Sequence, residues 1–202
     1  MNIPIVVVAY NRTNTLQRLL SSLSKAYFPF STRLIISIDG GGPVNVIQTA
    51  KNFFWEHGQK EILEYSENLG LRKHILSCGA ISKKYDGIIL LEDDLYVSPW
   101  FYTYALSAAR FYRGCKDISG IALYSPRYNE TAFLPFYPLN DGSDTFFMQL
   151  ACSWGQIWLS EQWSEFENWY NKNRNEELIR NETLPINIKL WPETSWKKSE
   201  FN

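Results

Sequence analysis

Three consecutive carboxylates, Glu92-Asp93-Asp94, follow directly on an uninterrupted apolar run, Ile88-Ile89-Leu90-Leu91. A continuous apolar run is typical of a strand that is covered on both faces, because a half-exposed strand would alternate. The carboxylates would then lie at the carboxyl end of that strand, where open α/β sheets bind their ligands. Like charges about 4 Å apart repel by about 4 kcal/mol at an effective dielectric constant near 20, so a divalent cation, or else an arginine or lysine, is needed to offset them. The structural alternative is a helix cap with solvated charges, for which one carboxylate would suffice.

Other charged residues recur at the same point of successive units, just after a predicted strand. Arg12 follows the first strand, Asp39 the second, and Arg72 and Lys73 come after the turn that follows the third. In a doubly wound sheet these positions share one edge, so the residues can line a single crevice with the carboxylates. Each has a structural alternative: an arginine after a strand is often a surface residue, and an aspartate before glycines often forms a turn.

The elements that must position these residues alternate between strand and helix. Apolar and β-branched runs predict strands at residues 3–9, 34–38, 61–65, 88–94 and 118–123. Apolar residues at helical spacing, together with Ser98-Pro99 as a start signal, predict helices at about 13–23, 44–56, 71–84 and 98–112. This alternation predicts an α/β fold, a Rossmann-like and mostly parallel sheet flanked by helices.

The pattern changes after Tyr124. Residues 124–145 are rich in Pro, Tyr, Asn and Asp without periodicity, which predicts a functional or mobile loop because it is too long for a simple connection. A further apolar segment at 146–150, the stretch 152–155 and a helix at about 156–171 are predicted after it.

Composition and run lengths exclude several classes of protein. The net charge is −1 and no basic stripe is present, so we expect no nucleic-acid partner. No apolar run approaches the length of a transmembrane segment, and the first strand begins too near Met1 for a signal peptide. The cysteines lack metal-binding spacing and are expected to be reduced structural thiols. The expected location is cytoplasmic.

The chemistry that fits the strand-end residues is binding of a nucleotide-diphosphate donor with a metal. Mn²⁺ or Mg²⁺ binds through one or two carboxylates and leaves positions for phosphate oxygens and water. Asp94, the last of the run, is predicted to reach the metal, Asp93 to contact ribose, and Glu92 to contact the sugar or support its neighbours. The metal would act as a Lewis acid on the departing diphosphate.

Four segments carry a resemblance to a known family: Val6-Val7-Val8-Ala9-Tyr10-Asn11-Arg12, Ile36-Ser37-Ile38-Asp39-Gly40, Leu71-Arg72-Lys73 and Leu90-Leu91-Glu92-Asp93-Asp94-Leu95. Together they resemble a glycosyltransferase of the A-type fold. The pattern is most similar to N-acetylglucosaminyltransferase I and its bacterial, family 2-like relatives. In these proteins Glu-Asp-Asp takes the place of the usual Asp-x-Asp motif. The resemblance covers about residues 3–165.

The resemblance implies a role for each matching donor-side residue. Arg12 and Asp39 would hold the base and ribose of the nucleotide, and Arg72 or Lys73 would lie near the uracil or the diphosphate. His74 stands one position away from the histidine that the family pattern expects.

On the acceptor side, the stretch that begins Trp154-Gly155 resembles the family's acceptor-bordering segment. Trp154 would stack there on a sugar or, alternatively, belong to the core. The family inverts the anomeric centre with a carboxylate base in a Trp-Asp-Asp-Trp segment. This chain has Glu193 as the nearest counterpart, with Asp141 and Asp144 as rivals.

The implied function is a metal-dependent, inverting hexosyl- or N-acetylhexosaminyltransferase that uses a nucleotide sugar, UDP-linked in the first instance, and a carbohydrate acceptor. Residues 1–123 would form the donor-binding half and 124–202 the acceptor-side half of a single domain. The polar last thirty residues end without a closing element, which is typical of a chain truncated at its C-terminus.

Two alternatives stay open. A sugar nucleotidyltransferase shares a similar sheet but needs a Gly-rich arginine loop after the first strand, which Tyr10-Asn11-Arg12-Thr13 does not supply. A non-catalytic module that binds a nucleotide or a glycan would keep the donor site without turnover.

Overall fold

The structure is a computed structural model that describes residues 1–129, 133–148 and 152–173. The strands in these ranges are Ile5–Ala9 (β1), Leu34–Ile38 (β2), Lys60–Glu64 (β3), Gly87–Glu92 (β4), Ile121–Ala122 (β5), Tyr128–Asn129 (β6), Leu134–Pro135 (β7) and Gln156–Leu159 (β8). The α-helices are Thr13–Ser24 (α1), Val44–Asn52 (α2), Gly70–Ala80 (α3), Phe101–Tyr112 (α4) and Ser160–Asn173 (α5). A short 3₁₀ helix, Ile81–Lys84, continues α3.

Six strands form one sheet in the order β3-β2-β1-β4-β8-β5. The first four are parallel to one another, and β8 runs antiparallel between β4 and β5. The short strands β6 and β7 pair with each other outside this sheet. The predicted fold class, an α/β fold with a mostly parallel sheet flanked by helices, is confirmed.

Burial on both faces explains why the central strands are continuously apolar. Every residue of β1 and β2 is buried. One face packs with α1, α2 and α4 in a large core that includes Leu16, Val46 and Leu106. The other face forms a smaller core in which Val6 and Leu90 pack with Cys78 of α3. The sheet therefore sits in the middle layer, and its strand ends emerge between helices.

The helix predicted at 156–171 is wrong in its first turn. Gln156–Leu159 form the strand β8, and the helix begins only at Ser160. Along β8 the partly buried Gln156 and Trp158 alternate with the buried Ile157 and Leu159, as expected for a strand. Since β4 and β5 supply pairing partners on both sides, the tertiary setting decides in favour of the extended backbone.

Other predicted bounds also shift. The strand predicted at 118–123 shrinks to Ile121–Ala122, and the helix predicted from 44 to 56 ends at Asn52. The helix predicted from Ser98-Pro99 begins at Phe101, while the Ser98 hydroxyl accepts a hydrogen bond from the Trp100 backbone N–H before it. Of the segment predicted at 146–150, residues 146–148 are described and are not in a strand.

Membrane and cysteine predictions can be compared with the described residues only. No helix among them has the length and apolar character needed to cross a membrane. Cys78 is buried, and this burial raises the pKa of its thiol to about 11. Cys115 is exposed, Cys152 is partly buried, and all three are free thiols.

Candidate functional site

The register of the parallel strands brings the predicted residues to one edge of the sheet. Ala9 pairs with Ile38, Ile38 pairs with Glu64, and Val8 pairs with Glu92, so four strands end nearly level. The loops that follow them also touch. The Asp39 N–H donates to the Ala9 carbonyl, and a Cβ added to Gly42 would lie 2.3 Å from the Tyr10 carbonyl oxygen.

Arg12 is the cation that faces the carboxylate run. Its Nη2 lies 2.5 Å from Asp93 Oδ1, and its Nη1 donates to Asp94 Oδ2 at 2.8 Å. Burial acts to lower the pKa of Arg12, but the charges of Asp93 and Asp94 raise it overall. One guanidinium thus bridges two neighbouring carboxylates and offsets the repulsion between them.

Asp93 is the buried member of the run, with a side chain that is 3% exposed. Its Oδ1 makes a close charge contact with Arg12. Burial raises the pKa of Asp93, while Arg12 acts in the opposite direction. The predicted ribose contact stays a prediction, since this side chain holds Arg12.

Glu92 ends β4 with its side chain half buried. Burial raises the pKa of its carboxyl group, and the negative charge of Asp94 adds to the effect. A hydrogen bond with Ser153 acts in the opposite direction. This contact ties Glu92 to the segment that precedes β8, and its predicted role of contacting the sugar or supporting its neighbours stays a prediction.

Asp94 is the most accessible of the three carboxylates, with 42% of its side chain exposed. Its backbone carbonyl, and not its carboxylate, accepts a hydrogen bond from Arg18 of α1. In the described part of the chain, no three His, Cys, Asp or Glu side chains are grouped closely enough to form a metal cage. Mg²⁺ and Mn²⁺ at nucleotide sites need only one or two carboxylates, because phosphate and water complete the shell. Asp94 therefore fits a metal that binds together with a diphosphate.

Asp39 is buried and serves the backbone around it. Its Oδ1 accepts hydrogen bonds from the N–H groups of Gly40 at 2.9 Å and Leu69 at 2.8 Å, and its Oδ2 accepts from Gly70 at 3.2 Å. The side chain thereby ties the end of β2 to the start of α3. The predicted contact with base or ribose stays a prediction, and the first observed role of Asp39 is to position this loop.

Arg72, Lys73 and His74 follow each other in α3 but face different surroundings. Arg72 and Lys73 are exposed in its first turns, and their predicted place near the diphosphate stays a prediction. His74 is 2% exposed, and its Nε2 lies 2.8 Å from the Ser37 hydroxyl. Burial lowers the pKa of His74, although Asp39 acts in the opposite direction. His74 is therefore a neutral core residue.

The predicted acceptor residues lie beside the carboxylates. A Cβ added to Gly155 would lie 3.5 Å from Leu91 and 3.9 Å from Leu95, the residues that bracket the acidic run. The φ angle of Gly155 is +85°, a conformation that favours glycine. Trp154 is 48% exposed, and its ring contacts that of Tyr124 edge to face, with centroids 4.7 Å apart. An exposed, braced indole is available for stacking on a sugar.

Three carboxylates were predicted as candidates for a catalytic base. Glu193 lies outside the described residues. Asp141 is exposed in the 133–148 segment, and hydrogen bonds from Ser143 lower its pKa, which makes it a weaker base. Asp144 is also exposed there, close enough to Tyr104 to affect its pKa.

Three contacting residues were not singled out from the sequence. Arg18 binds the Asp94 carbonyl, Ser153 bonds to Glu92, and Tyr124 braces Trp154. Arg18 lies on α1, the helix that Arg12 precedes, so its positive charge could have marked it as a candidate partner of the carboxylates. Ser153 and Tyr124 carry no signal of their own, since their contacts depend on where β8 begins.

No protein-family model and no curated protein matches the sequence. Among solved structures, the mannosyltransferase PcManGT from Pyrobaculum calidifontis, in complex with GDP-Man and Mn²⁺, is similar with a TM-score of 0.44 and 9% identity, over 52% of this chain and 31% of that one. TarS from S. aureus is similar with a TM-score of 0.43 and 16% identity, over 56% of this chain and 20% of that one. HddC from Yersinia pseudotuberculosis is similar with a TM-score of 0.38 and 16% identity, over 52% of this chain and 54% of that one.

These similarities are partial on both sides. The chain spans about a third or less of the length of the mannosyltransferase and of TarS, and about half the length of HddC.

Proposed function

We propose that this protein is a glycosyltransferase that binds a nucleotide-diphosphate sugar at the carboxyl edge of its sheet and transfers the sugar to a carbohydrate acceptor. The observation that carries the proposal is the Glu92-Asp93-Asp94 run, held around Arg12 at the end of the buried strand β4. Open α/β sheets bind ligands at this position. A bridging arginine beside an accessible carboxylate suits an anionic ligand that carries a metal.

Each residue has a proposed task in donor binding. Asp94 would hold Mn²⁺ or Mg²⁺ together with the diphosphate, and the bound ion would act as a Lewis acid on the leaving group. Arg12 would donate to the phosphate oxygens, and Asp93 would keep its guanidinium in place. Asp39 would fix the loop that leads to Arg72 and Lys73, and UDP is the first nucleotide to test.

The acceptor side is proposed to be formed by Trp154 and Gly155. Stacking on the exposed indole would orient the acceptor sugar near Glu92. Transfer with inversion needs a carboxylate that removes the proton from the acceptor hydroxyl as the diphosphate leaves. Glu193 is the proposed base, and Asp141 is a weaker candidate because hydrogen bonds lower its pKa.

Nucleotide-sugar binding tests the donor half of the proposal. Calorimetry with UDP- and GDP-sugars, with and without Mn²⁺, is expected to find a donor that the native protein binds and that raises its unfolding temperature by mass action. Asp94→Asn should weaken Mn²⁺-dependent binding by at least about tenfold, or ~1.4 kcal/mol.

Asp86→Asn is the matched control. Asp86 immediately precedes β4, at the opposite end of the same strand, and its carboxylate bonds to the Asn2 N–H and pairs with Arg113. Its replacement should leave donor affinity unchanged. Equal affinity of the Asp94→Asn protein and the native protein would contradict the metal assignment. Binding without hydrolysis or transfer in any acceptor mixture would favour the non-catalytic module.

A further inference from the structure

Arg12 occupies a position that its own helix does not favour. It is the N-cap residue of α1, where the helix dipole is positive, and the first turn contains no acidic residue to offset it. A guanidinium has no acceptor atom, so it cannot cap the free N–H groups there. The two carboxylates across the site therefore determine where this side chain lies.

The two contacts of the guanidinium are unequal. The Asp93 side chain is 3% exposed, whereas that of Asp94 is 42% exposed. The Arg12 side chain itself is 49% exposed. Leaving buried Asp93 without its cation would be costly, whereas exposed Asp94 can exchange its partner with solvent or with another cation. Arg12 thus has one anchored contact and one exchangeable contact.

We propose that Arg12 is an exchangeable counter-ion that competes with the divalent ion for Asp94. When an ion takes the Asp94 carboxylate, Nη1 is released while Nη2 stays on Asp93, and the freed N–H groups face the anion that arrives with the ion. This inference rests on the proposed function and concerns how that site selects its ligands. A divalent ion that binds alone breaks the contact between Arg12 and Asp94 and leaves Arg12 without a replacement partner. An ion that binds with a diphosphate supplies phosphate oxygens, to which Arg12 can donate instead.

Two consequences follow for binding. The native protein should bind Mn²⁺ alone weakly, which agrees with the lack of a three-ligand cluster among the described residues. Mn²⁺ and a nucleoside diphosphate should strengthen each other's binding by the same factor, about tenfold or more, because coupling free energies are reciprocal.

The test is titration of Mn²⁺ alone, followed by the electron paramagnetic resonance signal of the free ion. Arg12→Gln removes the competing charge and is expected to bind Mn²⁺ about tenfold more tightly than the native protein, a typical size for such coupling. In the same variant, UDP should no longer strengthen Mn²⁺ binding to the extent that it does in the native protein. Asp94→Asn should bind no Mn²⁺ in either background.

Arg18→Gln is the matched control for charge. Arg18 contacts the backbone carbonyl of Asp94 and leaves the carboxylate accessible, so its removal takes away a nearby positive charge without removing a competitor. Its Mn²⁺ affinity should stay within about twofold of the native value, because exposed charges are screened. An equal gain in Arg18→Gln and Arg12→Gln would overturn the proposal in favour of a general field effect.

A second variant protects the test from a folding failure. If circular dichroism shows that Arg12→Gln is unfolded, Arg12→Lys takes its place. The lysine retains a positive charge that reaches only one carboxylate, so this variant should still bind Mn²⁺ more tightly than the native protein. Mn²⁺ affinity no higher than native in the folded Arg12 variants overturns the inference. That result is independent of the proposed function, which fails if no nucleotide sugar binds with or without Mn²⁺ or if a bound donor is neither hydrolysed nor transferred.

Discussion

Asp39 and Asp94 follow buried strands at the same edge of the sheet, yet their carboxylates have different surroundings. Asp94 is accessible and paired with Arg12, whereas Asp39 is buried and accepts hydrogen bonds from three backbone N–H groups. Two of those groups belong to Leu69 and Gly70 at the start of α3. The charge of Asp39 therefore stabilises the helix N-terminus that carries the candidate donor residues.

Replacement of Asp39 by asparagine tests this positioning role. The amide has one acceptor oxygen, and its NH₂ group would face backbone donors, so we expect the free energy of unfolding to fall by roughly 1–3 kcal/mol. Urea denaturation followed by circular dichroism measures the change.

Asp141→Asn is the control for that substitution. Asp141 also accepts a backbone N–H, from Ser143 at 2.9 Å, but it is exposed on the surface. Its replacement should change stability by no more than about 0.5 kcal/mol. Equal losses of unfolding free energy in the two variants would mean that Asp39 does not specifically stabilise the loop before α3.

Residue patterns predicted where these charged side chains lie better than they predicted which of them form ion pairs. Arg12, Asp39 and the acidic run were expected at one edge, and the need for a cation, arginine or lysine beside three carboxylates was read from electrostatics alone. In the structure the positive charge beside the carboxylates comes from Arg12, which contacts Asp94, 82 positions later in the chain. No local sequence pattern encodes a contact between residues so far apart.

At the scale of elements, α3 and α5 pack on the same side of the sheet through a close contact. A Cβ added to Gly79 would lie 1.9 Å from the ring of Trp163, which is itself 2% exposed. Glycine is therefore required by the neighbouring indole. The contact joins α3, which begins beside the candidate donor site, to the helix that follows β8.

Gly79→Ala is expected to destabilise the protein by about 1–3 kcal/mol, the usual cost of overpacking a core. The reason is steric, because the added methyl group cannot coexist with the indole unless α3 and α5 separate. Thermal unfolding measures the loss, and Trp163→Leu in the same chain should recover part of it.

Gly120→Ala provides the comparison for Gly79→Ala. The nearest atom to its added Cβ would be 3.8 Å away, an ordinary van der Waals distance. Its stability should stay within about 0.5 kcal/mol of the native value. Unfolding temperatures that are unchanged in both variants would show that the α3–α5 contact is looser than described.

The missed strand β8 shows where element prediction reaches its limit. Gln156-Ile157-Trp158-Leu159 is short, apolar and followed by helical spacing, so a helix that started early was the simpler interpretation. The extended form depends on pairing with β4, which lies more than sixty residues earlier. The parallel strands were predicted well because burial on both faces gives them an unbroken apolar signal.

For the whole molecule, β8 joins the two predicted halves in one sheet. Ile157 pairs with Ile89 of β4 on one side and with Ile121 of β5 on the other. The boundary at residue 123 is therefore crossed by backbone hydrogen bonds, and residues 1–123 lack the strand that covers the edge of β4.

A chain that ends at residue 123 is expected to associate or unfold, because an apolar central strand would become an exposed edge. The full 202-residue chain is the comparison at the same concentration. Sedimentation velocity measures the result. A stable, monomeric 1–123 chain with native circular dichroism would contradict the requirement for β8.

The position of β8 also has a consequence for synthesis on the ribosome. The chain emerges from its N-terminus, so β4 is available long before Gln156–Leu159 have been made. During this interval its hydrogen-bonding edge, with the apolar Ile88 and Ile89, is open to other nascent chains. The antiparallel insertion thus makes completion of the sheet a late event in translation, and pauses between residues 123 and 159 would lengthen the period in which the growing protein depends on chaperones.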